Sequence, residues 1–246
     1  EKATGAFPVN ALRYCLRAGG LKAGDIDFIA HGFAYEPVKE VFEADELGRR
    51  QYEEVFSPEV QRRLLRQHFP ETDWAQRFLA VPHHLAHAAS AFYLSGFPEA
   101  LIAVSDGMGE VQSLTVAVGQ GSDIRVLKEV SAFHSLGMLY GAFTLYLGFA
   151  MNSDEYKVMG LAPYGNPRRF YDQVMSLVSL KSDGTYTVPL FARDRTALDR
   201  ETHRGVLAFL AEQFGLACDP DSLLTVFHHD LAAALQGASK ACQFHV

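Results

Sequence analysis

Cysteine is scarce in this chain of 246 residues, with only Cys15, Cys218 and Cys242. They are odd in number, far apart and never in Cys-x-x-Cys spacing. That argues against a disulfide framework and against a zinc–thiolate site, and a reducing cytoplasm fits best. Positive charge is also in short supply. Lys and Arg total 22 against 29 Asp and Glu, a net charge of -7, so the general basic footprint of a nucleic-acid binder is missing. The basic cluster Arg62, Arg63 and Arg66 reads as the solvated face of a helix. No signal peptide is visible. Long apolar runs are lacking too. The uncharged segment Ser131 to Ser153 is interrupted by His134, Gly137, Gly141 and Gly148, and its most apolar part, Leu136 to Met151, falls short of the ~20 residues that a membrane span needs. It reads as a buried helix. The chain also lacks an initiating Met. It opens with Glu1-Lys2-Ala3-Thr4-Gly5 and runs almost at once into a helical pattern, as an excised piece of a longer protein would.

What is present is an ordinary globular balance, 48% hydrophobic and 21% charged, ample for a sizeable core. Pro8 suits a first helical position. Val9, Leu12 and Leu16 follow at helical spacing until Gly19-Gly20 stops the helix. Ile26, Phe28 and Ala30 predict a strand. Residues 34–56 are charged and irregular, a surface excursion. Ser57-Pro58-Glu59 supplies a cap, a first-turn Pro and an acidic first turn for a helix with Val60, Leu64 and Leu65 on its apolar stripe. Phe78 to Val81 is a short strand ending at Pro82, and a helix follows from His83 or His84 to about Tyr93. Leu101 to Val104 is a buried strand by its β-branched content. Two more strands, around Leu114–Val118 and Ile124–Val130, flank the turn Gly119-Gln120-Gly121. The remainder is helix-rich, and Lys181 to Gly184 reads as a turn rather than a linker. The mixture argues for an α/β fold with at least one meander, not a simple doubly wound parallel sheet.

The densest chemical signal is the group of three histidines within five residues, His83, His84 and His87. On a helix, His83 and His87 stand one turn apart on one face, and both imidazoles can reach one divalent cation at about 2.0–2.2 Å. His84 is rotated off that face and reads as a group that touches substrate or backs the ligands. A second signal is Asp106-Gly107-Met108-Gly109-Glu110 at a strand end. The sheet holds the carboxylate rigidly, and Gly107 and Gly109 permit positive φ and backbone approach to an anion. This suits a third metal ligand or a phosphate cradle; an ordinary hairpin turn is the bland alternative. In the segment 152–165, Asp154 can cap a helix carrying Lys157, a point charge suited to phosphate, although a solvated helix start explains the same composition. His228-His229-Asp230 opens an apolar helix with Asp230 as a first-turn acid.

Four stretches in series, HHLAHAASAFYLSGF (83–97), SDGMGE (105–110), SLGMLYGAFT (135–144) and NSDEYKVMGLAPYG (152–165), resemble the carbamoyltransferase family of nodulation proteins and of antibiotic enzymes acting on tobramycin and cephamycins. The likeness runs from about Gly5 to at least Gly165 and thins after it. It implies a fold similar to actin, sugar kinases and heat-shock ATPases, ribonuclease-H-like, with a mixed sheet, flanking helices and parts missing at both ends. The chain would then be a partial N-terminal domain over 1–246, without the family's adenylate-forming domain. Family members use ATP and carbamoyl phosphate, make carbamoyl adenylate, and transfer the carbamoyl group to a hydroxyl of a small natural product or glycan beside an iron or similar divalent ion. Carried across by position, His83 and His87 match the metal histidines and Asp106 an acidic ligand. Gly137 and the segment from Asp154 to Gly165, with Lys157, match the region that holds the adenylate. The expected partners are a hydroxylated small molecule or glycan and a second copy in a homodimer, with neither nucleic acid nor membrane. His84 is the candidate general base. A tRNA threonylcarbamoyl-transfer protein and a non-catalytic actin-like nucleotide-binding module are the alternatives. The former would be expected to show a basic tRNA-facing surface.

Overall fold

The computed structural model describes residues 7–220 and 222–246; the opening Glu1-Lys2-Ala3-Thr4-Gly5 lies outside them. The chain divides into two compact units, one reaching to Gly96 and one running from Phe97 to Val246.

In the first unit, α1 (Val9–Ala18) forms where the apolar spacing predicts it, with Pro8 at the cap position rather than inside the first turn. Val9, Leu12 and Leu16 pack against a core of Ala23, Leu65, Phe69, Trp74 and Phe78. Gly20 closes the helix at φ 65°, a left-handed conformation that costs glycine little. β1 (Ile29–His31) starts later than the apolar alternation suggests, because residues 23–25 form a 3-10 turn first. Residues 34–56 are not irregular. They fold into α2 (Lys39–Phe42), α3 (Glu46–Gln51) and a π-helical turn (Tyr52–Phe56). Tyr35, Phe42, Tyr52 and Phe56 gather there, with Tyr35 stacked 4.5 Å from Phe56 and edge-on to Phe42 at 5.3 Å. Charge coats this segment, but aromatic burial shapes it. α4 (Pro58–His68) follows Ser57, whose hydroxyl makes no cap bond. Arg62 on it is not simply solvated, since its guanidinium lies 5.5 Å from the Phe78 ring centre. β2 (Phe78–Ala80) pairs parallel with β1, Ile29 opposite Phe78 and His31 opposite Ala80. α5 (His83–Ser95) comes next. His84, Ala88 and Phe92 form its buried stripe, and Gly96 ends it at φ 74°.

In the second unit, β3 (Glu99–Ser105), β4 (Gln112–Gln120) and β5 (Asp123–Ser131) make an antiparallel meander. The turn between β4 and β5 falls at Gly121, φ 60°. β3 is not buried throughout. Ile102 and Val104 are covered, whereas Leu101 is 72% exposed, the alternation of a strand with one open face. α6 (Leu136–Tyr146) is the uncharged helix. The Ser135 hydroxyl caps it by accepting from the Met138 N–H, and Ala142, Phe143 and Tyr146 are fully buried. α7 (Glu155–Leu161), α8 (Tyr171–Met175), the hairpin β6 (Ser179–Leu180) to β7 (Tyr186–Thr187), α9 (Ala197–Thr202) and α10 (Arg204–Phe214) lead to α11 (Val226–His245). Gly184 at φ 82° turns the hairpin where a turn is expected. α11 is the spine of this core. Leu231 and Leu235 are fully buried, each contributing about 1.5–3 kcal/mol by burial. It begins at Val226, earlier than expected, so Asp230 lies beyond the first turn. Its carboxylate instead accepts from the Asn166 N–H at 2.7 Å and from Arg169 at 3.1 Å.

The described residues thus form a mixed α/β structure of helices and small sheets. No helix among them is long and apolar enough to cross a membrane.

Candidate metal centre

Two parallel strands end side by side in the first unit, and the segments beyond their C-terminal ends meet. The Val81 N–H donates to the His31 carbonyl at 2.8 Å, carrying the β1–β2 pairing one step further. β1 then runs into Gly32-Phe33, while β2 passes through Pro82 into α5. The chain beyond the C-terminal ends of parallel strands is where α/β proteins place ligands. His83, the first residue of α5, is held there twice. Its Nδ1 lies 2.8 Å from the Gly32 carbonyl oxygen. A carbonyl can only accept, so the ring proton sits on Nδ1 and Nε2 keeps its lone pair. The Phe33 ring stacks on the imidazole, centroids 4.0 Å apart and planes within 12°.

His87 follows one turn later, and its Nε2 comes to 3.0 Å from the Nε2 of His83. Without an ion this contact is a hydrogen bond from His87 to the His83 lone pair. Nitrogens so spaced could both reach one divalent ion at ordinary metal–nitrogen distances of about 2.0–2.2 Å. His87 is exposed and His83 half-buried. The donor set, its fixed tautomer and its access all suit a divalent cation. His84 is only 2% exposed and belongs to the buried stripe of α5.

In the second unit, the residues 106–110 form the loop between β3 and β4. The Asp106 N–H donates to Ser113 and the Gly109 N–H to Gln112. The Asp106 carboxylate accepts from the Gly107 N–H at 2.6 Å, and the Ser135 hydroxyl donates to the Gly107 carbonyl at 2.6 Å. Contrary to expectation, neither Gly107 nor Gly109 adopts positive φ. Gly137 is present for close approach. A Cβ there would stand 2.7 Å from the Gly107 Cα, so a glycine lets the first turn of α6 rest against this loop.

Asp154 occupies the cap position of α7 but does not cap it. It accepts from the Ala150 N–H at 3.2 Å and pairs with Lys157 at 2.9 Å. That hydrogen bond holds the Lys157 ammonium above its ordinary range. Gly165 also has a packing reason, since a Cβ there would stand 1.9 Å from the His229 carbonyl oxygen at the start of α11. The structure therefore brings His83 to His87, Asp106 and Gly107 to Gly137, Asp154 to Lys157, and Gly165 to α11. Sequence reasoning missed Gly32, Phe33, Ser135 and the anchoring role of Asp230. Only Ser135, a serine opening an apolar helix, carries a local signal of its role.

The family described as Carbamoyltransferase N-terminus matches residues 1–236. The nodulation protein NolNO of Sinorhizobium fredii is 34% identical over 248 residues, covering 100% of this chain and 34% of that protein. An uncharacterized protein of Synechocystis sp. is 34% identical over 254 residues, covering 96% of this chain and 40% of its own length. The nodulation protein NolO of Bradyrhizobium diazoefficiens is 37% identical over 163 residues, covering 66% of this chain and 27% of that protein. The chain thus spans well under half the length of these relatives.

Proposed function

This chain belongs to the carbamoyltransferase family, and on that premise we propose that it is the metal-holding part of an O-carbamoyltransferase. The reaction moves a carbamoyl group from carbamoyl phosphate, by way of carbamoyl adenylate made with ATP, to a hydroxyl of a small natural product or glycan in the cytoplasm. The observation that carries this reading is the His83–His87 pair, with its Nε2 atoms 3.0 Å apart and the His83 tautomer fixed by Gly32. We take the fold to be a partial actin-like, ribonuclease-H-like one. The adenylate-making step belongs to a further domain of a longer protein, as the greater length of the relatives allows.

His83 and His87 would hold the cation, with Asp106 as the acidic ligand, and a donor set of two imidazoles and one carboxylate suits Fe(II). When bound, such an ion supplies Lewis-acid polarisation of an oxygen and offsets developing negative charge. The chain's own residues do the rest. Gly32 keeps the lone pair of His83 on Nε2. Ser135 and Gly137 set the loop carrying Asp106. Gly107, Gly109, Gly137, Asp154, Lys157 and Gly165 lie in the segments that receive the adenylate, with Lys157 as the phosphate-directed charge. The acceptor oxygen bonds to the carbamoyl carbon, the bond from that carbon to the AMP oxygen breaks, and AMP leaves with the electron pair. A base takes the hydroxyl proton. Burial of His84 favours a role backing the ligands over proton abstraction.

The test is His87→Ala in the full-length protein. Metal content is read by elemental mass spectrometry, and transfer by mass spectrometry with ATP, carbamoyl phosphate and a panel of hydroxylated acceptors. Loss of both metal and transfer is expected. Unchanged metal content and unchanged transfer would falsify the reading.

A further inference from the structure

We infer that Phe33 is a positioning residue for the metal ligand His83, and that the aromatic cluster of residues 35–56 holds it in place. The inference rests on the metal reading above and adds to it a residue outside the four motif stretches.

The two contacts on the His83 imidazole do different things. The Gly32 carbonyl, 2.8 Å from Nδ1, fixes which nitrogen carries the proton. A hydrogen bond of that kind tolerates a broad range of angles, so by itself it leaves the ring free to tilt. The Phe33 ring, 4.0 Å away and within 12° of parallel, fixes the ring plane and with it the direction of the Nε2 lone pair. Phe33 is supported in turn. It stacks on Tyr35 at 5.3 Å with planes within 2°, and Tyr35 stacks on Phe56 at 4.5 Å. Tyr35 is itself buried. His31 Nδ1 lies 3.2 Å from the Phe33 carbonyl oxygen, a hydrogen bond in the tautomer protonated there. The column His83–Phe33–Tyr35–Phe56 therefore runs from the ligand into the part of the first unit that is built from aromatic burial.

Electrostatics make this support selective for the loaded state. An imidazole that gives its lone pair to a cation becomes electron-poor. The face of a benzene ring carries negative quadrupole charge and attracts an electron-poor partner. Stacking on Phe33 is accordingly stronger when His83 is bound to a cation than when it is free. By linkage, removing the ring weakens cation binding by the difference between the two stacking energies. Groups that orient a metal-bound histidine typically cost about 10–100-fold in affinity when mutated.

The experiment titrates the metal-free full-length protein, its Phe33→Leu and Phe33→Tyr variants and His87→Ala with Co(II). Affinity is read by calorimetry and ligand geometry by the visible spectrum, beside thermal unfolding of each protein without metal. We expect Phe33→Leu to bind about 10–100-fold more weakly with an altered spectrum, and Phe33→Tyr to stay near wild type because its ring still stacks. Should Phe33→Leu fail to fold, Phe33→Met, unbranched and of similar bulk, carries the same comparison. A Phe33→Leu protein that melts earlier yet binds Co(II) with unchanged affinity and spectrum overturns the inference and leaves the metal reading standing. A wild-type protein that binds no Co(II) overturns both.

Discussion

Replacing Gly165 with alanine tests whether a motif glycine serves a ligand or the fold. A Cβ at this position would lie 1.9 Å from the His229 carbonyl oxygen, 2.2 Å from its carbon and 2.7 Å from the Asp230 nitrogen. Ordinary contact begins about 1.5 Å further out than the nearest of these. All three are backbone atoms near the start of α11, so no side chain can swing aside. The first turns of the spine helix would have to move, or the 3-10 turn that precedes Gly165 would. Either shift also strains the Asn166–Asp230 hydrogen bond of 2.7 Å next to it. Overpacking usually costs about 1–3 kcal/mol, and a clash with backbone belongs at the upper end. For a chain of this size about 3 kcal/mol lowers the melting temperature by roughly 6–12 °C. Gly160 is the control. It is exposed on α7, and a Cβ there meets nothing within 4 Å. Gly160→Ala should therefore stabilise by about 0.5–1 kcal/mol, raising the melting temperature by roughly 1–4 °C. Both are measured by thermal unfolding followed by circular dichroism, with no nucleotide present. A Gly165→Ala protein that melts within about 1 °C of wild type would refute the packing argument and leave that glycine with a ligand role alone.

Two further outcomes rest on single groups. The Asn166 N–H, and after it Arg169, hold the Asp230 carboxyl below its usual range. Such a group stabilises the fold above the unfolded carboxyl value of about 3.9 and loses that contribution as pH falls through the lower folded value. Asp230→Asn should thus melt earlier than wild type near neutral pH, with the gap narrowing in acid; a gap that stays constant across that range contradicts the assignment. Burial pushes the thiols of Cys242 and Cys218 up, with Asp219 adding to the effect at Cys218, whereas Cys15 is exposed. Since the thiolate is the reactive form, iodoacetamide mapped by mass spectrometry should label Cys15 first and Cys242 only after unfolding. Equal rates at Cys15 and Cys242 would show that the α11 core opens readily.

Local periodicity and local chemistry determine the features that could be read from the chain. The helices at Val9 and His83, the meander after Glu99 and the His83–His87 pair all reflect spacing of two or 3.6 residues. The residues that went unread act across distance. Gly32 and His83 are 51 positions apart, and Asn166 and Asp230 are 64 apart. No window along the chain brings such partners together. The segment 34–56 misled for a different reason. Its charges outnumber its aromatic rings, so it reads as solvated surface. Yet Tyr35, Phe42, Tyr52 and Phe56 recur irregularly and fit neither period, and they meet only because short helices fold back on one another. Leu101 shows the opposite error. A β-branched strand reads as buried, but whether both faces are covered depends on neighbours that the strand's own residues do not specify.

The glycines show why a motif likeness and a packing argument need not compete. Gly137 lies in one of the stretches proposed above to receive the adenylate, yet its lack of a side chain is already required by the Gly107 backbone 2.7 Å from where a Cβ would sit. The Ser135 hydroxyl can reach the Gly107 carbonyl at 2.6 Å only because α6 starts this close to the loop, and that hydrogen bond fixes the loop bearing Asp106. A larger residue at 137 would move the carboxylate before it touched any ligand. A glycine can thus matter to the chemistry through the close approach of backbone to backbone, without contacting a reacting atom. The same logic applies to Phe33 in the other unit. It stacks on the His83 ring, and the role proposed for it runs through the plane of that ring.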